Sequence, residues 1–128
     1  MRTIETTVTG TIEEVEPAVR AALGAEGFGV LTEVDVAATL QEKLGVTRAP
    51  LKILGACNPA LAHRALELDP AVSLLLPCNV VLESDADATR VRVAAVHPAD
   101  LMPGPVLAEL TAEASGRLLQ AIGSLSDA

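Results

Sequence analysis

Two cysteines and one histidine are the residues of this chain whose types and spacing best suit chemistry. Cys57 precedes Asn58-Pro59, a preferred helix start, so its thiol lies where the partial positive charge of a helix N-terminus favours a thiolate. His63 follows about one turn into the same predicted helix, and Cys78 comes directly after Pro77 at the start of another segment. Two thiolates with an imidazole would form a soft site, suited to a zinc or copper(I) ion or to a redox disulfide.

Three interpretations of these residues stay open. The favoured one is a metal-ion or small-molecule binding module with Cys57, Cys78 and His63 as its site, because Asn58 and Asn79 each follow a cysteine and add amide donors and acceptors. The second is a thiol-redox or thiol-nucleophile protein that uses Cys57. The third is a non-catalytic oligomerisation or accessory subunit whose cysteines only pack, since buried cysteine behaves as a small hydrophobe. No spacing in the sequence identifies a catalytic residue.

The composition excludes several classes of partner. Of 128 residues, 9 are Lys or Arg and 17 are Asp or Glu, which gives a net charge of −8. That charge repels nucleic acid and anionic membranes. Phe28 is the single aromatic residue of the chain, whereas a base-stacking platform needs several aromatic rings. We therefore expect neither nucleic-acid binding nor membrane association.

Length and hydrophobicity bear on organisation and compartment. The length predicts one domain over residues 1–128. The first 16 residues carry neither a basic nor an apolar signal-peptide region, which predicts a cytoplasmic protein. A hydrophobic fraction of 50% is large for so small a domain and predicts a homodimer, joined by an isologous contact along a strand edge or the last helix.

Hydrophobic periodicity predicts an α/β (α+β) domain with a sheet of about five strands packed with helices, in the order βαβαβαββα. The helices begin or end at recognisable caps, among them the Thr11 to Glu14 capping box, Asn58-Pro59 and Gly27. The predicted strands are Ile4–Val8, Gly29–Asp35, Leu51–Cys57, Leu76–Glu83 and Arg90–Val96. The predicted helices run from Thr11 to Gly27, from Val36 to Leu44, from Pro59 to Leu68, and from Leu107 to Leu125.

Two local expectations bear on the geometry. Pro17 lies inside the first predicted helix, so we expect a kink or a late helix start there. Residues Ala71 to Pro77 read as an extended segment that returns the chain to the level of Cys57. That return predicts that Cys57 and Cys78 lie close together at one end of the sheet, with His63 as the third member.

Four segments resemble one known family, the bacterial and archaeal domain of unknown function 302. They are residues 27–35 (GFGVLTEVD), 54–59 (LGACNP), 62–65 (AHRA) and 75–80 (LLPCNV), in this order. The resemblance covers roughly residues 1–122. It implies a compact α/β domain, often a homodimer, with no assigned enzymatic activity and no list of catalytic residues. One departure is His97-Pro98, where members commonly carry an acidic residue before the proline.

Overall fold

A five-stranded antiparallel sheet organises the computed structural model, which describes residues 1–125 of the chain. The strands lie side by side in the order β1-β5-β4-β3-β2, so β1 and β2 form the two edges. They are β1 Thr3–Thr9, β2 Gly29–Asp35, β3 Leu51–Cys57, β4 Cys78–Ser84 and β5 Arg90–Val96. The predicted fold class is confirmed, while the last three residues of the predicted domain lie outside the described part.

In the described part of the chain, five α-helices and one 3₁₀ helix connect and follow the strands. They are α1 Ile12–Ala25, α2 Val36–Leu44, α3 Pro59–Leu68, the 3₁₀ helix Pro70–Leu75, α4 Pro98–Leu101 and α5 Ala108–Gly123. The short α4 and the 3₁₀ helix are absent from the predicted order. Within residues 1–125, no helix is long and apolar enough to cross a membrane.

The start of α1 shows how local sequence sets an element boundary. The Thr11 hydroxyl accepts a hydrogen bond from the Glu14 amide at 3.2 Å, and the Glu14 carboxylate accepts one from the Thr11 amide at 3.0 Å. This predicted capping box fixes the first turn, so α1 begins at Ile12 and continues through Pro17. The alternative of a late start at Pro17 is therefore wrong, because the capping box starts the helix more than a turn before Pro17 and the proline removes only one internal hydrogen bond.

One face of the sheet packs against α1 and α5 and forms the main core, which we call the sheet cluster. Residues at alternate positions of the strands, such as Val80 and Leu82 of β4, point into it and are fully buried. Its members are Ile4, Ile12, Val15, Val19, Leu23, Phe28, Leu54, Ala56, Val80, Leu82, Val91, Val93, Ala95, Leu118, Ala121 and Ile122.

A second, smaller hydrophobic cluster lies at the end of the sheet where β3 finishes and β4 begins. This end cluster consists of Leu61 and Ala65 of α3, Val72 of the 3₁₀ helix, and Leu107 and Leu110 around the start of α5. The predicted extended segment Ala71 to Pro77 is therefore wrong over its first part, which forms the 3₁₀ helix. Asp69 caps that helix by accepting a hydrogen bond from the Ala71 amide, and Pro70 has the backbone angle that a first helical turn requires.

Candidate ligand pocket at the end of the sheet

A pocket separates the two hydrophobic clusters, and we call it the end pocket. All five buried residues of the end cluster line it, together with Phe28 and Ala56 of the sheet cluster. Its volume is about 50 Å³. The remaining lining residues are Cys57, Asn58, Ala62, Leu76, Cys78, Pro98, Met102, Thr111 and Ala114. No charged side chain contributes to this wall, so the pocket is an apolar one.

Both cysteines lie at this pocket, at the point where β3 ends and β4 starts. Cys78 is directly opposite Ala56 in the antiparallel register, and Cys57 is the next residue along β3. Cys57 lies between the opposite and the diagonal position relative to Cys78, which brackets the separation of the two Cα atoms at between about 4.5 and about 8 Å. The expected proximity of the two cysteines is confirmed, but through antiparallel neighbouring strands and not through an extended return segment.

The two thiols are nevertheless not arranged for a direct bond. Both are free, and successive side chains on a strand point to opposite faces, so the side chains of Cys57 and Cys78 leave the sheet in different directions. A disulfide between residues whose Cβ atoms point apart requires backbone movement. Burial raises the pKa of the Cys78 thiol, and the nearby Cys57 raises it further. Cys78 is therefore held in its neutral, weakly nucleophilic form.

Asn58 lines the pocket, but its side chain is occupied by structural hydrogen bonds. Its amide oxygen accepts from the Leu61 backbone N–H at 3.2 Å as the cap of α3, and its amide nitrogen donates to the Glu26 carbonyl at 3.3 Å. The Arg117 guanidinium donates to the same Glu26 carbonyl, also at 3.3 Å. Gly27 has a positive φ of 86°, and a Cβ there would lie 2.9 Å from the Asn58 amide nitrogen, so the turn after α1 requires glycine.

His63 and Asn79 do not join the two thiols. The α3 residues that face the pocket are Leu61, Ala62 and Ala65, and His63 lies about 200° around the helix from Leu61. Its side chain is exposed and lines a separate surface groove with Glu67 and Glu109, among other residues. Asn79 is exposed on the sheet face that α1 and α5 leave open.

The separation of His63 from the cysteines bears directly on the expected zinc or copper site. Residues 1–125 contain no group of three or more His, Cys, Asp or Glu side chains that could hold a metal ion. The three residues chosen from the sequence are thus split between two places, with two at the end pocket and one in the surface groove. What the structure does assemble around the thiols is an apolar wall.

Sequence reasoning missed most of that wall. Phe28, Met102 and Thr111 come from a turn, a loop and a helix far apart in the chain, and no spacing rule connects them. One signal was available in the small residues at Ala62, Ala65 and other wall positions, which leave space where larger side chains would meet. Periodicity identifies such positions as inward-facing but does not say what they face.

The family profile of DUF302, described as a domain of unknown function, matches residues 4–125. The chain belongs to the DUF302 family. A solved structure described as an uncharacterised conserved DUF302 protein from Bacillus stearothermophilus is similar to it at 29% sequence identity, with a TM-score of 0.87 and coverage of 98% of both chains. No curated protein gives a significant match. The resemblance drawn from residues 27–35, 54–59, 62–65 and 75–80 is confirmed.

Proposed function

We propose that this DUF302 chain is a small-molecule binding module that takes the apolar part of its ligand into the end pocket. One observation carries the proposal: every buried residue of the end cluster lines the pocket, whereas only Phe28 and Ala56 of the sheet cluster do so. A cluster of helices that served only to extend the core would close on itself, because empty space forfeits packing contacts.

The size of the pocket favours a narrow ligand group. Its volume of about 50 Å³ is a third of the roughly 150 Å³ that holds a benzene ring in an apolar protein cavity. An unbranched alkyl segment is the group that such a space accepts. Leu76 and Met102 are only half-buried at its wall, and methionine adapts its shape readily, so these side chains can widen the pocket for a longer chain.

The polar groups of the wall favour the same class of ligand. The Thr111 hydroxyl already donates to the Ala108 carbonyl at 3.2 Å, and both polar atoms of the Asn58 side chain are engaged. A polar ligand group would lose its water and find only the remaining capacity of these two already engaged side chains in an otherwise apolar wall. Burying apolar ligand surface contributes about 25 cal/mol per Å², so hydrophobic contact supplies the binding free energy in this proposal.

Under this proposal the Cys78 thiol is part of the apolar wall, and Cys57 lies beside it at the end of β3. The raised pKa of Cys78 supports that role, as do the divergent directions of the two side chains. Thiol chemistry at Cys57 and metal binding remain the competing interpretations, and each has a direct test. Intact mass spectrometry of the native protein would show a bound ion, a thiol adduct or the loss of two hydrogens, and the proposed function expects none of these to be needed for binding.

The test uses 1-hexanol as the probe and a matched pair of variants on α5. Ala114 lines the pocket, whereas Ala112 on the same helix is exposed. In methyl-labelled protein, 1-hexanol should shift the resonances of Leu61, Val72 and Met102. Ala114→Leu fills the pocket and should raise the Kd at least about tenfold, while Ala112→Leu should leave it unchanged.

The same experiment contains the results that would overturn the proposal. Absence of shifts at the three methyl-bearing residues would show that the pocket takes no alkyl group. Equal binding by the two leucine variants would place the probe elsewhere. As a further check, 1,6-hexanediol has the same carbon chain but a polar group at each end, so it should bind more weakly than 1-hexanol.

A further inference from the structure

The surface groove that contains His63 lies between α3 and the start of α5. Its volume is about 300 Å³, which is at the lower end of the range for small-molecule sites in proteins, whereas the end pocket measures about 50 Å³. A ligand held by the end pocket alone would be very small. The groove provides the space for the rest of a larger molecule.

Leu110 connects the two cavities, because it belongs to the lining of both. This side chain is 6% exposed, so it forms a partition between the end pocket on one side and the groove on the other. A leucine side chain is held only by packing and changes rotamer without the loss of a hydrogen bond. A ligand can therefore occupy both cavities by displacing this one side chain.

The two cavities differ in chemical character. The wall of the end pocket contains no charged side chain. The groove is lined by Arg64, Glu67 and Glu109 beside two apolar residues, Leu68 and Val106, which are 53% and 65% exposed. An apolar space and a charged one on the two sides of a shared leucine suit a molecule with an alkyl tail and a charged head group, because the head group then stays in a polar environment.

The charges of the groove determine the sign of that head group. The Arg64 guanidinium forms an ion pair with Glu113 of α5 at 3.5 Å, so its positive charge is already compensated. Within residues 1–125, the side chains of Glu67 and Glu109 form no hydrogen bond or ion pair. The net charge of the chain is −8. A cation is therefore attracted to the groove, and an anion is repelled both there and by the whole molecule.

Among cations, a primary ammonium fits the groove better than a metal ion does. The described residues, 1–125, contain no group of three or more His, Cys, Asp or Glu side chains that could hold a metal, so His63, Glu67 and Glu109 do not converge on one point. An ammonium group needs no such convergence. It has three N–H donors, and each forms a charge-assisted hydrogen bond to whichever carboxylate it meets.

We infer that the ligand of the end pocket is an alkylamine, with its tail in the end pocket and its ammonium head group in the surface groove beside Glu67 and Glu109. This inference rests on the proposed function, since the end pocket must first accept the tail. It adds a second site, the groove, and assigns the ligand to the class of amphiphiles with a primary ammonium group.

The experiment compares three probes that share one alkyl chain and differ in the head group: hexylamine, which is protonated at neutral pH, 1-hexanol and hexanoate. Their Kd values are measured at neutral pH by titration of the labelled protein. Hexylamine should bind at least about fivefold more tightly than 1-hexanol, and hexanoate should bind most weakly. The methyl resonances of Leu61 and Val72 should shift with both hexylamine and 1-hexanol, whereas the backbone amides of Glu67 and Glu109 should shift only with hexylamine.

A double variant tests the role of the two carboxylates. Glu67→Gln with Glu109→Gln should leave the binding of 1-hexanol unchanged and reduce the preference for hexylamine to less than about twofold. The matched control is Glu13→Gln with Glu42→Gln, which removes the same number of charges. Glu13 and Glu42 are exposed and line neither cavity, so the preference should persist in this control.

Three results would overturn the inference while 1-hexanol still binds in the end pocket. They are equal Kd values for hexylamine and 1-hexanol, an undiminished preference for hexylamine in the Glu67→Gln and Glu109→Gln double variant, and tighter binding of hexanoate than of hexylamine. Each leaves the proposed function standing. Absence of 1-hexanol from the end pocket would instead overturn the proposed function itself, so the two failures are distinguishable.

Discussion

The sheet cluster and the end cluster contain the same kinds of side chain but pack differently. Leu54, Leu82 and Leu118 of the sheet cluster have no exposed surface, whereas four of the five buried residues of the end cluster, all except Val72, keep 6–8% of their surface exposed. The difference follows from what holds each cluster together. Strands paired along six or seven residues bring their inward side chains into continuous contact, whereas the end cluster joins one face of α3, a 3₁₀ helix and the start of α5. Hydrophobic residues thus contribute mainly to stability in the sheet cluster, whereas those of the end cluster also surround a space.

The largest expected effect tests this difference with one substitution in each cluster. Leu82→Ala removes a completely buried side chain from the sheet cluster, and we expect a loss of about 4 kcal/mol in the free energy of unfolding. Leu61→Ala removes a side chain that already borders the end pocket, so we expect a loss of about 2 kcal/mol. Urea denaturation of both variants measures the difference. Equal losses would mean that the end cluster is packed as densely as the core.

Filling the pocket should have a smaller effect of opposite sign. Ala114→Leu places extra methyl groups in a space of about 50 Å³, and recovering that volume would stabilise the protein by up to about 1 kcal/mol. Ala112→Leu on the exposed side of the same helix should change the free energy of unfolding by less than about 0.5 kcal/mol. A destabilised Ala114→Leu protein would show that the wall cannot accommodate the added volume.

The two thiols should also differ in reactivity. Because burial raises the pKa of Cys78, its thiolate fraction at pH 7.5 is small, and alkylation by iodoacetamide should be several-fold slower than at an exposed cysteine. Cys57→Ser isolates this thiol for measurement, and a short unfolded peptide containing one cysteine provides the reference rate. Saturation with 1-hexanol should slow the reaction further. Alkylation as fast as that of the peptide would support thiol chemistry at the pocket instead.

The smallest effect concerns the ion pair between Arg2, which directly precedes β1, and Asp100 of α4. Hydrogen bonds from Arg2 lower the pKa of Asp100 to about 2, from an ordinary value of 3.8. The lowered pKa means that the contact stabilises the fold fully above pH 4 and loses that contribution as the pH falls towards 2. In Arg2→Gln the free energy of unfolding should therefore depend less steeply on pH in this range. If the free energies of the wild type and the variant change with pH in the same way, the ion pair contributes nothing to stability.

Much of the fold could be predicted because the ends of its helices are determined by residues that are neighbours in the sequence. The Thr11 capping box, the Asp35 cap and the Asn58-Pro59 start each place a helix end at the observed residue. The 3₁₀ helix could not be predicted in the same way. The run from Leu74 to Leu76 has the composition of a strand, but Leu74 is exposed and only Val72 of this helix is buried. The helical conformation of Pro70–Leu75 was therefore determined by tertiary packing.

The candidate site was predictable only in its local part. Cys57 ends β3 and Cys78 begins β4, so the pairing of these two strands brings the cysteines to one end of the sheet, although the extended return segment expected between them is largely a 3₁₀ helix. The direction of His63 depended on which face of α3 turns inward, and that was set by Leu61 and Ala65. The rest of the wall, including Phe28 and Met102, is assembled by contacts between distant segments, which periodicity does not encode.

The carbonyl of Glu26 joins three elements at one side of the end pocket. Asn58 and Arg117 both donate to this oxygen, so the start of α3 is joined through a single acceptor to the end of α1 and to α5. Further along α3, Arg64 forms an ion pair with Glu113 of α5 at 3.5 Å, so this wall of the pocket is tied to α5 at a second place. A backbone carbonyl is present whichever side chain follows it. The junction at Glu26 therefore depends on the conformation of the turn after α1 and would persist if the side chain at position 26 were replaced.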